Sequence, residues 1–299
     1  MLCIESPKLR VEIKEKGAEL TSVYDKEKGR EMLWQGEKPW QEQAPILFPF
    51  VGRLQGKHYF YNEKKYPMGL HGFAKESLFR VVECDKNSCL LELRDTALSR
   101  VSYPFSFRLR QSYKLEGANL LVETKVENLG VETIHFALGF HPGFHIFSEE
   151  EKISDFEVGF PKLKEDKLEQ VYFSEDCLTE KERGYFSLKN KSVSLSSALF
   201  RKDALVFFGT ESAVFLHKRG EKGGIYMEYP DYPYIGLWQP YKKSASFLCI
   251  EPWTSLPGRV GVEEDIAKRE DFITLLPEEE RSFHIKISFF HNSFEKIRV

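Results

Sequence analysis

Between positions 105 and 115 the chain alternates apolar and polar residues with a period of two. Phe105, Phe107, Leu109, Tyr113 and Leu115 fall at odd positions, with Ser106, Arg108, Arg110, Ser112 and Lys114 between them; Gln111 is the one exception. Successive side chains of an extended strand point to opposite faces, so the pattern predicts a strand with one dry and one wet face. The same alternation runs through Leu9, Val11 and Ile13, through Val122, Thr124 and Val126, and through Phe283, Ile285, Ile287 and Phe289. Turn signals separate these runs: Glu116-Gly117, Asn128-Leu129-Gly130, a glycine-rich stretch at 218–224, and Pro230 to Pro233. Helical periodicity is scarce, with short turns over 149–155 and 262–270 as the candidates. The mixed-charge stretch 161–183 reads as solvated loop and edge strand. The expectation is an all-β protein, one domain over residues 1–299, built as a large antiparallel β-sandwich with very little helix.

Composition sharpens this. Twenty-five Phe, thirteen Tyr and four Trp stand against four Met, and aromatic side chains suit a pleated, half-buried surface. Forty-three cationic residues nearly balance forty-six anionic ones, which excludes the basic footprint of a nucleic-acid partner. No apolar run approaches the roughly 18 residues that mark a membrane span, and the first residues lack the cationic flank and apolar core of a secretion signal. Five cysteines, odd in number and without a C-x-x-C pair, fit reduced thiols in the cytoplasm rather than a disulfide framework. The expected partner is a small molecule, bound by a monomer or homodimer without a membrane.

Four segments break the alternation and set polar groups among aromatics, prolines and glycines, where functional sites tend to be found. The run Pro45-Ile-Leu-Phe-Pro-Phe-Val-Gly-Arg53 contains two prolines, so it is no central strand, and it delivers one guanidinium, Arg53. In Met68-Gly-Leu-His-Gly-Phe-Ala-Lys75, glycines lie on both sides of His71, which frees the backbone and leaves room for a ligand. In the stretch 135–145, His135, His141 and His145 share a segment whose Pro142-Gly143 forbids a helix; His141 is the strongest candidate there, and His135 and His145 are expected to flank the strand. In Phe247-Leu-Cys-Ile-Glu251-Pro-Trp253 an apolar strand runs straight into a carboxylate. An ionised Glu there is costly unless it is paired with Arg53 or Arg259 or protonated, and desolvation tunes such a carboxyl toward general acid–base work. An imidazole–carboxylate pair suits proton transfer without a covalent intermediate. Trp238, Trp253 and Phe144 would offer aromatic faces to the C–H face of a sugar. No phosphate-cradling glycine loop, nucleophile elbow or dinucleotide fingerprint occurs.

With these residues in view, the chain resembles the aldose 1-epimerase (galactose mutarotase) family from about residue 5 to residue 290. The resemblance is carried by Leu47-Phe-Pro-Phe-Val-Gly-Arg53, Leu70-His-Gly-Phe-Ala-Lys75, Ser102-Tyr-Pro-Phe105, Leu138-Gly-Phe-His-Pro-Gly-Phe144 and Cys249-Ile-Glu-Pro-Trp253. It implies a β-supersandwich and interconversion of the α and β anomers of a free aldose, with no cofactor and no metal. Glu251 would be the base at the C1 hydroxyl, and His141 the acid at the ring oxygen. His71 would hold and polarise the ring-oxygen side, with Arg53, Asp203, Trp238 and Phe144 binding the sugar. Phe140 and Pro142-Gly143 replace the Asn and Tyr-Phe that flank the acid histidine in the better-known galactose mutarotases, which marks a divergent branch and leaves the sugar open. Lys75 stands where a branch acting on hexose 6-phosphates tends to have Arg, so a hexose-6-phosphate 1-epimerase is one alternative. A carbohydrate-binding protein without turnover is another. A metal site of His71, His141 and Glu251 is a third, against which the chain lacks the short His-x-Asp/Glu spacing usual for such sites.

Overall fold

In the computed structural model, which describes residues 1–145, 151–241 and 245–290, strand makes up 49% of the chain and helix 7%. That ratio settles the class as all-β. A nine-stranded antiparallel sheet runs in the order Ser192–Ser194, Phe156–Gly159, Ala213–Lys218, Gly224–Glu228, Glu280–Phe290, Asn119–Asn128, Phe107–Glu116, Ser88–Arg94, Arg80–Cys84. An eight-stranded sheet carries Thr179–Ser187, Lys167–Phe173, Leu205–Phe208, Tyr234–Trp238, Phe247–Trp253, Gly139–Phe140 and Ile46–Leu47, with Gly143–His145 also paired to Phe247–Trp253. A four-stranded sheet formed by the first 31 residues completes the main layers. Apolar residues of all three sheets form one continuous core, the arrangement that buries the dry face of each strand.

The alternating runs become the centre of the nine-stranded sheet. Phe107–Glu116 and Asn119–Asn128 pair in register from Phe107↔Asn128 to Glu116↔Asn119. Gln111, the exception in the pattern, is fully buried; its Oε1 accepts a hydrogen bond at 2.7 Å from the Thr124 hydroxyl on the neighbouring strand. The odd face is therefore dry throughout, and one polar pair is stitched into it. The double-proline run supplies only Ile46–Leu47, at the edge of its sheet, as its missing N–H groups require.

Of the expected helical turns, 262–270 contains a single 3-10 turn at Ile266–Lys268, and 149–155 contains another at Ile153–Asp155, with 149 and 150 outside the described residues. The charged stretch is more ordered than expected. Lys167–Phe173 and Thr179–Ser187 form a hairpin whose second strand is the sheet edge.

Candidate active site

Strand Phe247–Trp253 is buried along its whole length and is flanked on one side by a broken partner. Gly139 pairs with Trp253, and Gly143 with Cys249. Counting inward from both ends sets His141 directly opposite Glu251. Opposed residues of an antiparallel pair share a face, and the side chains do meet: His141 Nε2 lies 3.1 Å from Glu251 Oε2, with the two side chains only 10% and 1% exposed. The two glycines matter because they leave this face empty around the imidazole. A Cβ on Gly143 would come within 2.8 Å of Trp40, and one on Gly139 within 3.0 Å of Trp253. Trp40 stacks on His141 with centroids 5.0 Å apart, and Trp238 meets the same ring edge-on at 5.7 Å.

Burial acts on both partners toward neutrality. It raises the Glu251 carboxyl well above the usual carboxylate range; the charge of Asp203 adds to the effect and the Trp253 indole N–H opposes it. Burial lowers His141 to about 3, against an opposing hydrogen bond from its own backbone and with some help from Lys75. Glu251 Oε1, His141 Nδ1 and Trp253 Nε1 are buried without a hydrogen-bond partner of normal geometry. A buried polar atom left unpaired is expensive.

His71 takes a left-handed backbone conformation (φ +63°) and is followed by Gly72 at φ +75°. No side chain fits at 72, because a Cβ there would lie 2.1 Å from the Phe48 carbonyl oxygen. The turn aims the His71 ring at the cleft, half-buried, with its centroid 5.7 Å from that of His141. The Gly52 N–H donates to His71 Nδ1 at 3.0 Å, so the neutral ring carries its proton on Nε2. Burial, and then the neighbouring His141, Lys75 and Arg53, hold the His71 pKa well below the usual histidine value. His71 is therefore a neutral donor.

These groups line a cleft of about 270 Å³ together with Arg53, Asp203, Trp238 and Trp253, near the lower end of the roughly 300–1,000 Å³ typical of small-molecule sites. Asp203 has φ +74° and accepts a hydrogen bond from Trp238 Nε1 at 2.8 Å. The structure thus brings together Glu251, His141, His71, Arg53, Asp203 and Trp238. It does not bring Phe144. That side chain is 1% exposed within the core, three positions from His141 and hence on the opposite face of the strand. His135 lies elsewhere, at 3.3 Å from the Thr274 hydroxyl, and Arg259 pairs with Glu264 rather than Glu251.

The wall also carries Trp40, Glu42, Phe173, Cys177 and Pro257, which the sequence did not single out for the site. Glu42 accepts a hydrogen bond from Lys75 Nζ at 2.6 Å. Phe173 ends the first strand of the charged hairpin, and Cys177 lies in its turn. Among the described residues, His141, Cys249 and Glu251 place donor atoms within 4.8 Å of one another. This set differs from the alternative metal triad of His71, His141 and Glu251, holding Cys249 and not His71.

Comparison with known proteins agrees with this picture. The aldose 1-epimerase family model matches residues 1–288, so the chain belongs to the aldose 1-epimerase family. Protein LacX (plasmid) of Lactococcus lactis subsp. lactis is 33% identical over 257 residues, covering 83% of this chain and 85% of that one. A galactose mutarotase related enzyme from Lactobacillus acidophilus superposes with a TM-score of 0.91 at 30% identity, covering 98% of both chains. A galactose mutarotase-like protein from Lactobacillus casei also gives 0.91, at 26% identity, covering 97% of this chain and 100% of that one. Family and fold together support a carbohydrate epimerase or mutarotase.

Proposed function

We propose that the protein interconverts the α and β anomers of a free aldose by general acid–base catalysis, without cofactor or metal. One observation carries the reading: the 3.1 Å contact between His141 Nε2 and Glu251 Oε2 at a buried point on the cleft wall. The anomeric hydroxyl and the ring oxygen of a pyranose are bonded to the same carbon. An acid and a base set this close together can reach both.

Glu251 takes the C1 hydroxyl proton and His141 gives one to the ring oxygen, so C1–O5 breaks and an aldehyde forms. Rotation about C1–C2 presents the other face, and the reverse transfers close the ring. The pair shares one proton whether written as carboxylic acid with imidazole or as carboxylate with imidazolium. Each half-reaction therefore leaves its net charge unchanged, which suits a dry site. Burial favours the neutral form, and hydrogen bonds from sugar hydroxyls to the Glu251 carboxylate favour the ionised, reactive one. Trp40, Trp238 and Trp253 supply faces for the sugar C–H surface.

The cleft's charge favours an uncharged sugar over a phosphosugar. Lys75 is tied to Glu42 with side-chain exposures of 14% and 32%, and on the wall Asp203 stands against Arg53, the one cation among the described lining residues. Polarimetry on freshly dissolved α-glucose and α-galactose tests the proposal. The native protein should speed relaxation, and Glu251→Gln should slow it by about 10²–10⁴-fold, the usual worth of a positioned acid or base. No acceleration with any common aldose, or a Glu251→Gln rate equal to wild type, would overturn it.

A further inference from the structure

We infer that Cys84 and Cys89 form a cross-strand dithiol that closes to a disulfide by exchange with a small-molecule disulfide. The two are register partners at the open edge of the nine-stranded sheet, in the hairpin of Arg80–Cys84 and Ser88–Arg94. The Asp85 N–H donates to the Ser88 carbonyl at 2.8 Å one position further on, which makes Cys84 and Cys89 a non-hydrogen-bonded pair. Such pairs hold opposed Cα atoms about 4.5 Å apart, within the roughly 4.4–6.8 Å that disulfides span. The hairpin tip is fixed from both sides, because Glu5 N–H donates to the Lys86 carbonyl at 2.6 Å and Leu115 N–H to the Asn87 carbonyl at 2.8 Å.

The thiols have unequal access. Cys84 is exposed and Cys89 buried. Burial, followed by a hydrogen bond with Cys84, pushes Cys89 up to about 12. Cys84 is therefore the attacking group. Its thiolate displaces one thiolate from the small disulfide and forms a mixed disulfide. The Cys89 sulfur, giving up its proton, then attacks Cys84 Sγ and expels the second thiolate. Both released thiolates end protonated. Two protein thiols become one disulfide, and one small disulfide becomes two thiols, with two electrons leaving the protein. Cys3, exposed and close enough for its thiol to feel the charge of Cys84, is the competing partner.

The folded protein would be equilibrated in glutathione buffers of graded ratio, acid-quenched, and read by thiol count, intact mass and peptide mapping. Free thiols should fall from five to three, with Cys84 linked to Cys89. Cys3→Ser should close normally, Cys84→Ser should not close, and Cys89→Ser should stop at a glutathione adduct on Cys84. Peptide mapping of the native chain decides the matter even if a cysteine variant folds poorly. A Cys3–Cys84 link, or adducts without closure at every ratio, would overturn the inference.

Discussion

At the scale of single residues the account rests on Glu251 and His141. Folding keeps the Glu251 carboxyl protonated far above its unfolded value near 4.3, so the folded state binds a proton that the unfolded chain has lost. That difference costs nothing below pH 4, and it erodes stability as pH rises toward the folded pKa. Glu251→Gln keeps the shape and a donor toward His141 Nε2 and removes the titration. Its melting temperature should exceed that of wild type at pH 7 by several degrees, and the gap should close near pH 4. Scanning calorimetry across that range checks it, and an equal or lower value for the variant at pH 7 would contradict the burial argument. Glu251 could be found in the sequence because a carboxylate ending four apolar residues is conspicuous. His141 could only be ranked, since the register that sets it opposite Glu251 is a long-range fact. Phe144 was misplaced although the two-residue period was at hand: its odd separation from His141 turns it into the core.

Elements explain what one side chain cannot. Gly139 and Gly143 keep one face of a broken strand bare, so that tryptophans from other segments can close over the imidazole. Gly143→Ala should therefore displace Trp40 from His141 and lower kcat more than it raises KM, read by steady-state anomerisation with tryptophan fluorescence as the structural control. On the nine-stranded sheet, the buried Glu92 carboxylate receives Arg80, Arg94 and Arg110 at 3.2, 3.0 and 3.0 Å. These guanidinium groups hold it at about 2 against the opposing effect of burial. Its folded pKa is depressed, so its stabilisation is present above about pH 4.3 and lost as pH falls toward 2. Glu92→Gln should cost about 1–3 kcal/mol at pH 7 by urea unfolding, with the deficit vanishing in acid. The strands themselves were legible wherever one face is wet. In the hairpin of Lys167–Phe173 and Thr179–Ser187 the edge strand was legible, but its place in the cleft was not, because its charges look solvated while Phe173 and the turn residue Cys177 reach the cleft wall. Trp40 and Glu42 left no local signal at all, since their partners lie far along the chain, His141 for Trp40 and Lys75 for Glu42.

At the scale of the whole molecule, sheets held by one continuous core present a small aromatic cleft around a buried proton-transfer pair. Proton transfer completes the proposed reaction, so dialysis against a chelator should leave the anomerisation rate unchanged; a loss restored by a divalent ion would instead assign His141, Cys249 and Glu251 to a metal. The most direct test is exchange NMR between the α and β signals of a free aldose, comparing native protein with Glu251→Gln, His141→Asn and the double variant. If the two side chains act as one unit, each single change should slow exchange by about 10²–10⁴-fold, and the double variant should be little worse than the slower single one. Exchange in either single variant at the native rate, or losses that multiply in the double variant, would contradict the central claim.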